Sequence, residues 1–196
     1  MKYLLSSLCC LLLIACQEAP TEASTPIAEP VFAPGETPTE DELIMRLSPG
    51  LTAEPSSLAE KDRNTIINLA IEKKLNLYPT TSGLFYRILR QGEGEQIQWG
   101  DRLQAHYKGT FLDGKVFDSS YARGQELEFY VGNMIPAWND GLQLIQPGGA
   151  IEIYAPSDLA YGQEGFPDGK GGFLVPPNTI LVFQVEILKR LATANH

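Results

Sequence analysis

An α+β fold is predicted, antiparallel strands with one short helix among them, and three observations predict it. Apolar residues alternate at period two in several separate stretches between residues 84 and 188, as strands with one buried face require. Two such runs flank Asp113-Gly114, in Tyr107-Lys108-Gly109-Thr110-Phe111-Leu112-Asp113-Gly114-Lys115-Val116-Phe117-Asp118-Ser119-Ser120. That pair readily takes the positive φ angles of a tight hairpin turn. Helical spacing occurs within these strands only once, from Pro136 onward, and a lone helix among sequential strands points to α+β.

The elements follow in order. Beyond Thr80, Leu84, Tyr86 and Ile88 share one face of a strand, with Phe85, Arg87 and Leu89 opposite, until Gln91-Gly92-Glu93-Gly94 breaks it. Residues 102 to 111 alternate Leu103, Ala105, Tyr107 and Gly109 against Gln104, His106 and Lys108, so Tyr107 belongs with the inward set. The second arm of the hairpin ends in Phe117 and Asp118, where a strand gives way to a loop and sites are often built. Residues 126 to 131 form a strand with Leu127, Phe129 and Val131 on one face. Pro136 suits a first helical position, and Ile135, Trp138, Leu142 and Ile145 then line one side of a short helix ended by Pro147-Gly148-Gly149. Residues 150 to 155 and 179 to 188 are the last two strands, the second with Leu181, Phe183, Val185 and Ile187 inward.

Upstream, Ser57-Leu58-Ala59-Glu60 fits a capping box, and Leu58, Ile66, Leu69 and Ala70, widened by Ile67 and Ile71, continue at helical spacing toward Asn76 and Pro79. This helix docks on the following domain. Dimerisation through residues 57–76 is the less favoured use, because the segment lacks sustained heptads. Residues 17–55 hold seven of the fourteen prolines and are rich in Glu, Thr and Ser, the composition of a disordered tether. Within it, Asp41 to Leu47 is open to one or two helical turns. The expected organisation is a signal peptide over 1–16, the tether over 17–55, the helix over 56–78 and the main domain over 79–191.

The formal net charge is −9 with no basic stripe, which argues against nucleic acid as the main partner. Cys9 and Cys10 lie in an apolar run that ends in Leu13-Ile14-Ala15-Cys16. A charged start, an apolar stretch too short to span comfortably and small residues at a cut site make a secretory signal. Its last four residues also resemble a bacterial lipobox, which implies lipidation of Cys16, cleavage before it and a membrane anchor. Such a mature chain has no free thiol, so thiol catalysis is excluded. The only histidines are His106 and His196, so a histidine metal site or a Ser-His triad is poorly supported, and neither metal nor cofactor is expected. The Gly165 to Gly171 stretch lacks the spacing of a phosphate loop.

The hairpin, read with Val131-Gly132 to Trp138, Ala160-Tyr161-Gly162 and Val175-Pro176-Pro177, resembles the FKBP-type peptidyl-prolyl isomerases, collinearly over roughly residues 83 to 190. The resemblance implies a curved antiparallel sheet wrapped around the short helix. It implies an enzyme that accelerates rotation about Xaa-Pro bonds in proline-containing polypeptides and assists the folding of exported proteins. The alternative is a chaperone or docking module with the same pocket and negligible turnover. Carried over residue by residue, Trp138 would floor the pocket and Tyr107, Phe117, Phe129, Ile135 and Phe183 would wall it. Tyr161 would donate its hydroxyl to a substrate carbonyl, and Asp118 would offer an acceptor near the rotating bond. Leu127, Met134 and Val175 complete the expected substrate-binding set; Leu127 stands where the family often has an aromatic residue and Met134 where it has a branched aliphatic. The loop from Gly162 to Pro177 is longer than the family's pattern. Gln17 after the cysteine leans toward an outer-membrane anchor facing the periplasm.

Overall fold

The computed structural model describes residues 37–192. The signal peptide, Cys16 and the first part of the tether lie outside the described residues.

The described chain opens with helix α1 (Glu40–Leu47), capped by a reciprocal pair in which Thr39 Oγ1 accepts from the Glu42 N–H at 3.3 Å and the Glu42 carboxylate accepts from the Thr39 N–H at 2.8 Å. The tether expected to run to Pro55 therefore gives way to folded structure from residue 40 onward. Leu43 and Leu47 are fully buried, and two leucines one helical turn apart are enough to dock so short a helix on a neighbour. That neighbour is α2 (Leu58–Glu72), whose capping box joins Ser57 and Glu60. Helix α2 ends at Glu72, four residues before Asn76, and Lys74 at φ 52° reverses the chain. Ile66, Ile67 and Ala70 join Leu43 and Leu47 in a core of their own, completed by Leu77 just before the sheet and by Phe85 and Tyr154 from it. Leu58, expected on the apolar stripe, is exposed.

The main sheet is built from β1 (Tyr78–Pro79), β2 (Phe85–Arg90), β3 (Arg102–Phe111), β4 (Val116–Ser119), β5 (Leu127–Tyr130), β6 (Ala150–Ala155) and β9 (Leu181–Leu191). Its order is β1-β2-β6-β9-β3-β4, every pair antiparallel, with β5 also pairing β3. Between these strands stand the one-turn helix α3 (Ser120–Arg123) and helix α4 (Pro136–Leu142), with a small hairpin of β7 (Phe166–Pro167) and β8 (Phe173–Val175). The long strand β3 is shared, Arg102 to Ala105 pairing with β5 and Lys108 to Thr110 with β4. Leu103, Ala105, Leu181, Val185 and Ile187 form the buried face. Against it lies α4, with Ala137, Trp138 and Leu142 in the same core. Gly141 makes this close packing possible, since a Cβ there would stand 2.6 Å from Ile153 Cδ1. At β2 the two faces part company: Leu84 and Tyr86 serve the main core and Phe85 the helical one.

The β3–β4 turn differs from a two-residue hairpin. Phe111 N–H donates to the Lys115 carbonyl at 3.0 Å, and of the Asp113-Gly114 pair only Gly114 takes positive φ, at 86°. The loop is the three-residue kind, in which a turn is followed by one left-handed glycine. The Asp113 side chain accepts from the Lys115 N–H at 2.9 Å, which occupies it outside the left-handed region.

Candidate functional site

Strand β3 presents Tyr107 inward, and the break in the ladder beside it is repaired by a side chain. Ser120 Oγ accepts from the Tyr107 N–H at 2.8 Å and lies 3.0 Å from His106 Nδ1. His106 points to the other side of the sheet, buried and stacked on Tyr121 at 4.6 Å between ring centroids. The hydroxyl of Tyr107 donates to Asp118 Oδ2 at 2.5 Å and receives Arg123 Nη2 at 2.9 Å, while Arg123 Nη1 pairs with Asp118 Oδ1. Ser119 Oγ caps α3 by accepting from the Ala122 N–H at 3.3 Å, and this single turn carries Arg123 back over Asp118. Burial, and then the bond to Asp118, push the Tyr107 hydroxyl up to about 12, so it remains a proton donor at neutral pH.

Trp138 forms the floor. It is 2% exposed, and the rings of Tyr107, Phe129 and Phe183 meet it edge-on at 5.2, 5.5 and 5.7 Å. Its Nε1 is buried with no hydrogen-bond partner among the described residues. Phe117 leans on Phe183 at 5.8 Å and its ring tip closes on Gly109, where a Cβ would come 2.5 Å from Cζ. Asn139 holds the opposite wall: its Oδ1 accepts from the Gly132 N–H at 2.8 Å and its Nδ2 donates to the Met134 carbonyl at 2.7 Å.

These residues enclose a cleft of about 70 Å³, several times the space one water needs, lined by Tyr107, Phe117, Asp118, Leu127, Met134, Ile135, Trp138, Tyr161 and Phe183. Of the residues singled out in the sequence, Phe129 and Val175 are not brought to its surface. Phe129 backs Trp138, and Val175 is buried opposite Phe166 in the β7–β8 hairpin. Tyr161 contributes the second hydroxyl, held protonated by burial and by the nearby Asp118 charge. The Phe166 ring lies 5.1 Å from it. Sequence reasoning missed Arg123 and Asn139. Their signals were an arginine one turn beyond Asp118 behind a Ser-Ser cap, and an amide beside Trp138 on an otherwise apolar helix face. Among the described residues no three His, Cys, Asp or Glu side chains cluster to hold a metal.

An apolar cleft of this size, rimmed by one carboxylate and two phenolic hydroxyls, is built to take a small apolar group carried on a polar chain. The family model described as FKBP-type peptidyl-prolyl cis-trans isomerase matches residues 93–188, which include every residue lining the cleft. FkpA of Escherichia coli (strain K12), named an FKBP-type peptidyl-prolyl cis-trans isomerase, is 41% identical over 116 residues, covering 59% of this chain and 41% of FkpA. The chain thus spans about two fifths of that relative's length. The crystal structure of AtFKBP13 is similar with TM-score 0.56 and 34% identity, covering 59% of this chain and 99% of that one. A peptidyl-prolyl cis-trans isomerase from Pseudomonas syringae pv. tomato is similar with TM-score 0.57 and 30% identity, covering 72% of this chain and 99% of that one. The chain belongs to the FKBP-type peptidyl-prolyl cis-trans isomerase family.

Proposed function

We propose that this protein is a peptidyl-prolyl cis-trans isomerase acting on proline-containing polypeptides, the observation that carries it being the Trp138-floored cleft with Asp118 and Tyr161 at its rim. Rotation about an Xaa-Pro bond must cross a barrier of about 18–20 kcal/mol set by amide resonance. No nucleophile is needed to lower it. The planar amide is more dipolar than the twisted one, so removal from water disfavours the planar form more. Taking an amide out of water without a replacement hydrogen bond costs roughly 2–7 kcal/mol. Relief of about 4 kcal/mol at the twisted state corresponds to roughly a thousandfold in rate.

In this mechanism the proline ring enters between Tyr107, Phe117 and Phe183 and rests on Trp138. Tyr161 donates its hydroxyl to a carbonyl of the substrate. Asp118, held by Tyr107 and Arg123, keeps a fixed negative potential beside the rotating bond instead of turning out to solvent. Leu127, Met134 and Ile135 line the side that receives the rest of the chain, while Phe129 and Val175 act from behind by packing.

The motif Leu13-Ile14-Ala15-Cys16 supports a lipid anchor at Cys16, and with it a place at the bacterial cell envelope, on the outer membrane facing the periplasm, where exported polypeptides are the substrates. Incorporation of labelled fatty acid, abolished by Cys16→Ser, tests the anchor. The activity is tested on the full chain in mild detergent with an Xaa-Pro peptide. Acceleration lost on Trp138→Ala supports the enzyme, and none over buffer from a folded chain overturns it.

A further inference from the structure

Helix α2 does more than cover the back of the sheet. The side chain of Asp62 is 5% exposed and reaches Ser157, itself 1% exposed, accepting its N–H at 2.9 Å and its Oγ–H at 2.5 Å. Ser157 opens the 3-10 turn Ser157–Leu159 that leads directly into Ala160 and Tyr161. No side chain of the turn itself caps it, and the carboxylate from α2 takes that place by accepting the turn's first N–H. The Ser157 carbonyl then receives the N–H groups of Ala160 at 3.1 Å and Gly162 at 2.8 Å, so the residues on both sides of Tyr161 hang from this serine. The Tyr161 carbonyl in turn receives the Gly165 N–H at 3.1 Å. The neighbour Arg63 lies across Gly83 and pairs with Asp158 at 3.1 Å, a partly exposed link that adds direction more than strength.

We propose that Asp62 is a positioning residue for the isomerase site: through Ser157 it sets the loop that carries Tyr161, which makes the N-terminal helical unit part of the working enzyme. The inference rests on the reading of Tyr161 as the hydrogen-bond donor to substrate. Its physical basis is the buried carboxylate, which satisfies two donors that no other group near the turn satisfies; without it Ser157 is left to find partners by moving, and Tyr161 moves with it.

The test uses the full chain in mild detergent and two readouts. In Asp62→Ala, amide hydrogen exchange at Gly162 and Gly165 is expected to quicken about tenfold or more while the amides of β3 and β9 keep their wild-type rates. In Xaa-Pro isomerisation, Asp62→Ala is expected to lower kcat/KM about five- to tenfold, Asp62→Asn to stay within about threefold of wild type, and Asp62→Ala to add nothing in a Tyr161→Phe background. Ser157→Ala, which deletes only the hydroxyl bond, serves if Asp62→Ala does not fold. Unchanged exchange at Gly162 and Gly165 overturns the proposal, and so does an equal loss of activity with and without the Tyr161 hydroxyl when Tyr161→Phe by itself lowers activity. A silent Tyr161→Phe accompanied by the quickened exchange sinks only the donor role of Tyr161 and leaves Asp62 as the group that places the loop.

Discussion

Replacing Trp138 by alanine separates the stability of this protein from its chemistry. The indole is 2% exposed and is met edge-on by Tyr107, Phe129 and Phe183, so deletion leaves a cavity bounded by three rings that are themselves anchored in the sheet and collapse little. Such truncations cost about 3–5 kcal/mol, against roughly 5–15 kcal/mol for a whole domain. At about 2–4 °C per kcal/mol, the melting temperature should fall by on the order of 10 °C, which leaves a folded protein at 15 °C. For substrate, burying the roughly three ring methylenes of proline contributes about 0.8 kcal/mol each. The floor supplies about half of that contact, so its loss costs about 1.2 kcal/mol, or roughly eightfold in kcat/KM. The water admitted beside the amide adds to this, and a fall of ten- to a hundredfold is expected. Xaa-Pro peptide isomerisation at 15 °C, with circular dichroism to confirm the fold, measures it. A folded Trp138→Ala chain retaining kcat/KM within twofold of the parent would refute the desolvation argument and the placement of substrate together.

The other predictions concern how the walls and rim are held. Gly109→Ala drives a Cβ into the Phe117 ring, and with the ring displaced it should cost about 1–3 kcal/mol in urea unfolding and lower activity more than its distance from substrate suggests. Arg123→Gln removes the cation that pins Asp118, and a several-fold loss of activity that weakens as salt is added to the parent is expected; equal salt profiles for the two proteins would argue against it. For Tyr107 the folded hydroxyl lies near 12 and the unfolded one near 10.0, so its protonated contribution to stability is complete below pH 10 and fades as pH rises toward 12. The gap in urea midpoint between wild type and Tyr107→Phe should therefore be flat from pH 6 to 9 and shrink above 10.

The local pattern carried a good deal. Inward alternation on β3 and β9, Pro136 opening the short helix, and the capping box at Ser57 are short-range matters, settled by period, φ preference and side-chain reach within a turn, and all appear in the structure. The cleft was partly readable for the same reason: periodicity aims Tyr107, Trp138 and Phe183 inward, while Phe117 at a strand end and Tyr161 in its loop are indicated by the family resemblance. What required the tertiary structure involves partners distant in sequence. Asp41 to Leu47 is open to one or two helical turns within a tether read from composition, and so short a helix is marginal alone; α2 and the sheet supply the core that buries Leu43 and Leu47. Phe129 faces inward by alternation and Val175 is indicated by the resemblance, yet whether such a residue touches the cleft or backs it depends on the curvature of the sheet and the place of α4. The pairing of Asp62 with Ser157 spans 95 residues and leaves no trace in composition or period. Local sequence thus determined which residues are strand, helix and turn and which side they bury. Only the folded chain decided which buried groups meet, because that depends on loop closure and packing between elements, to which no short window of sequence is sensitive.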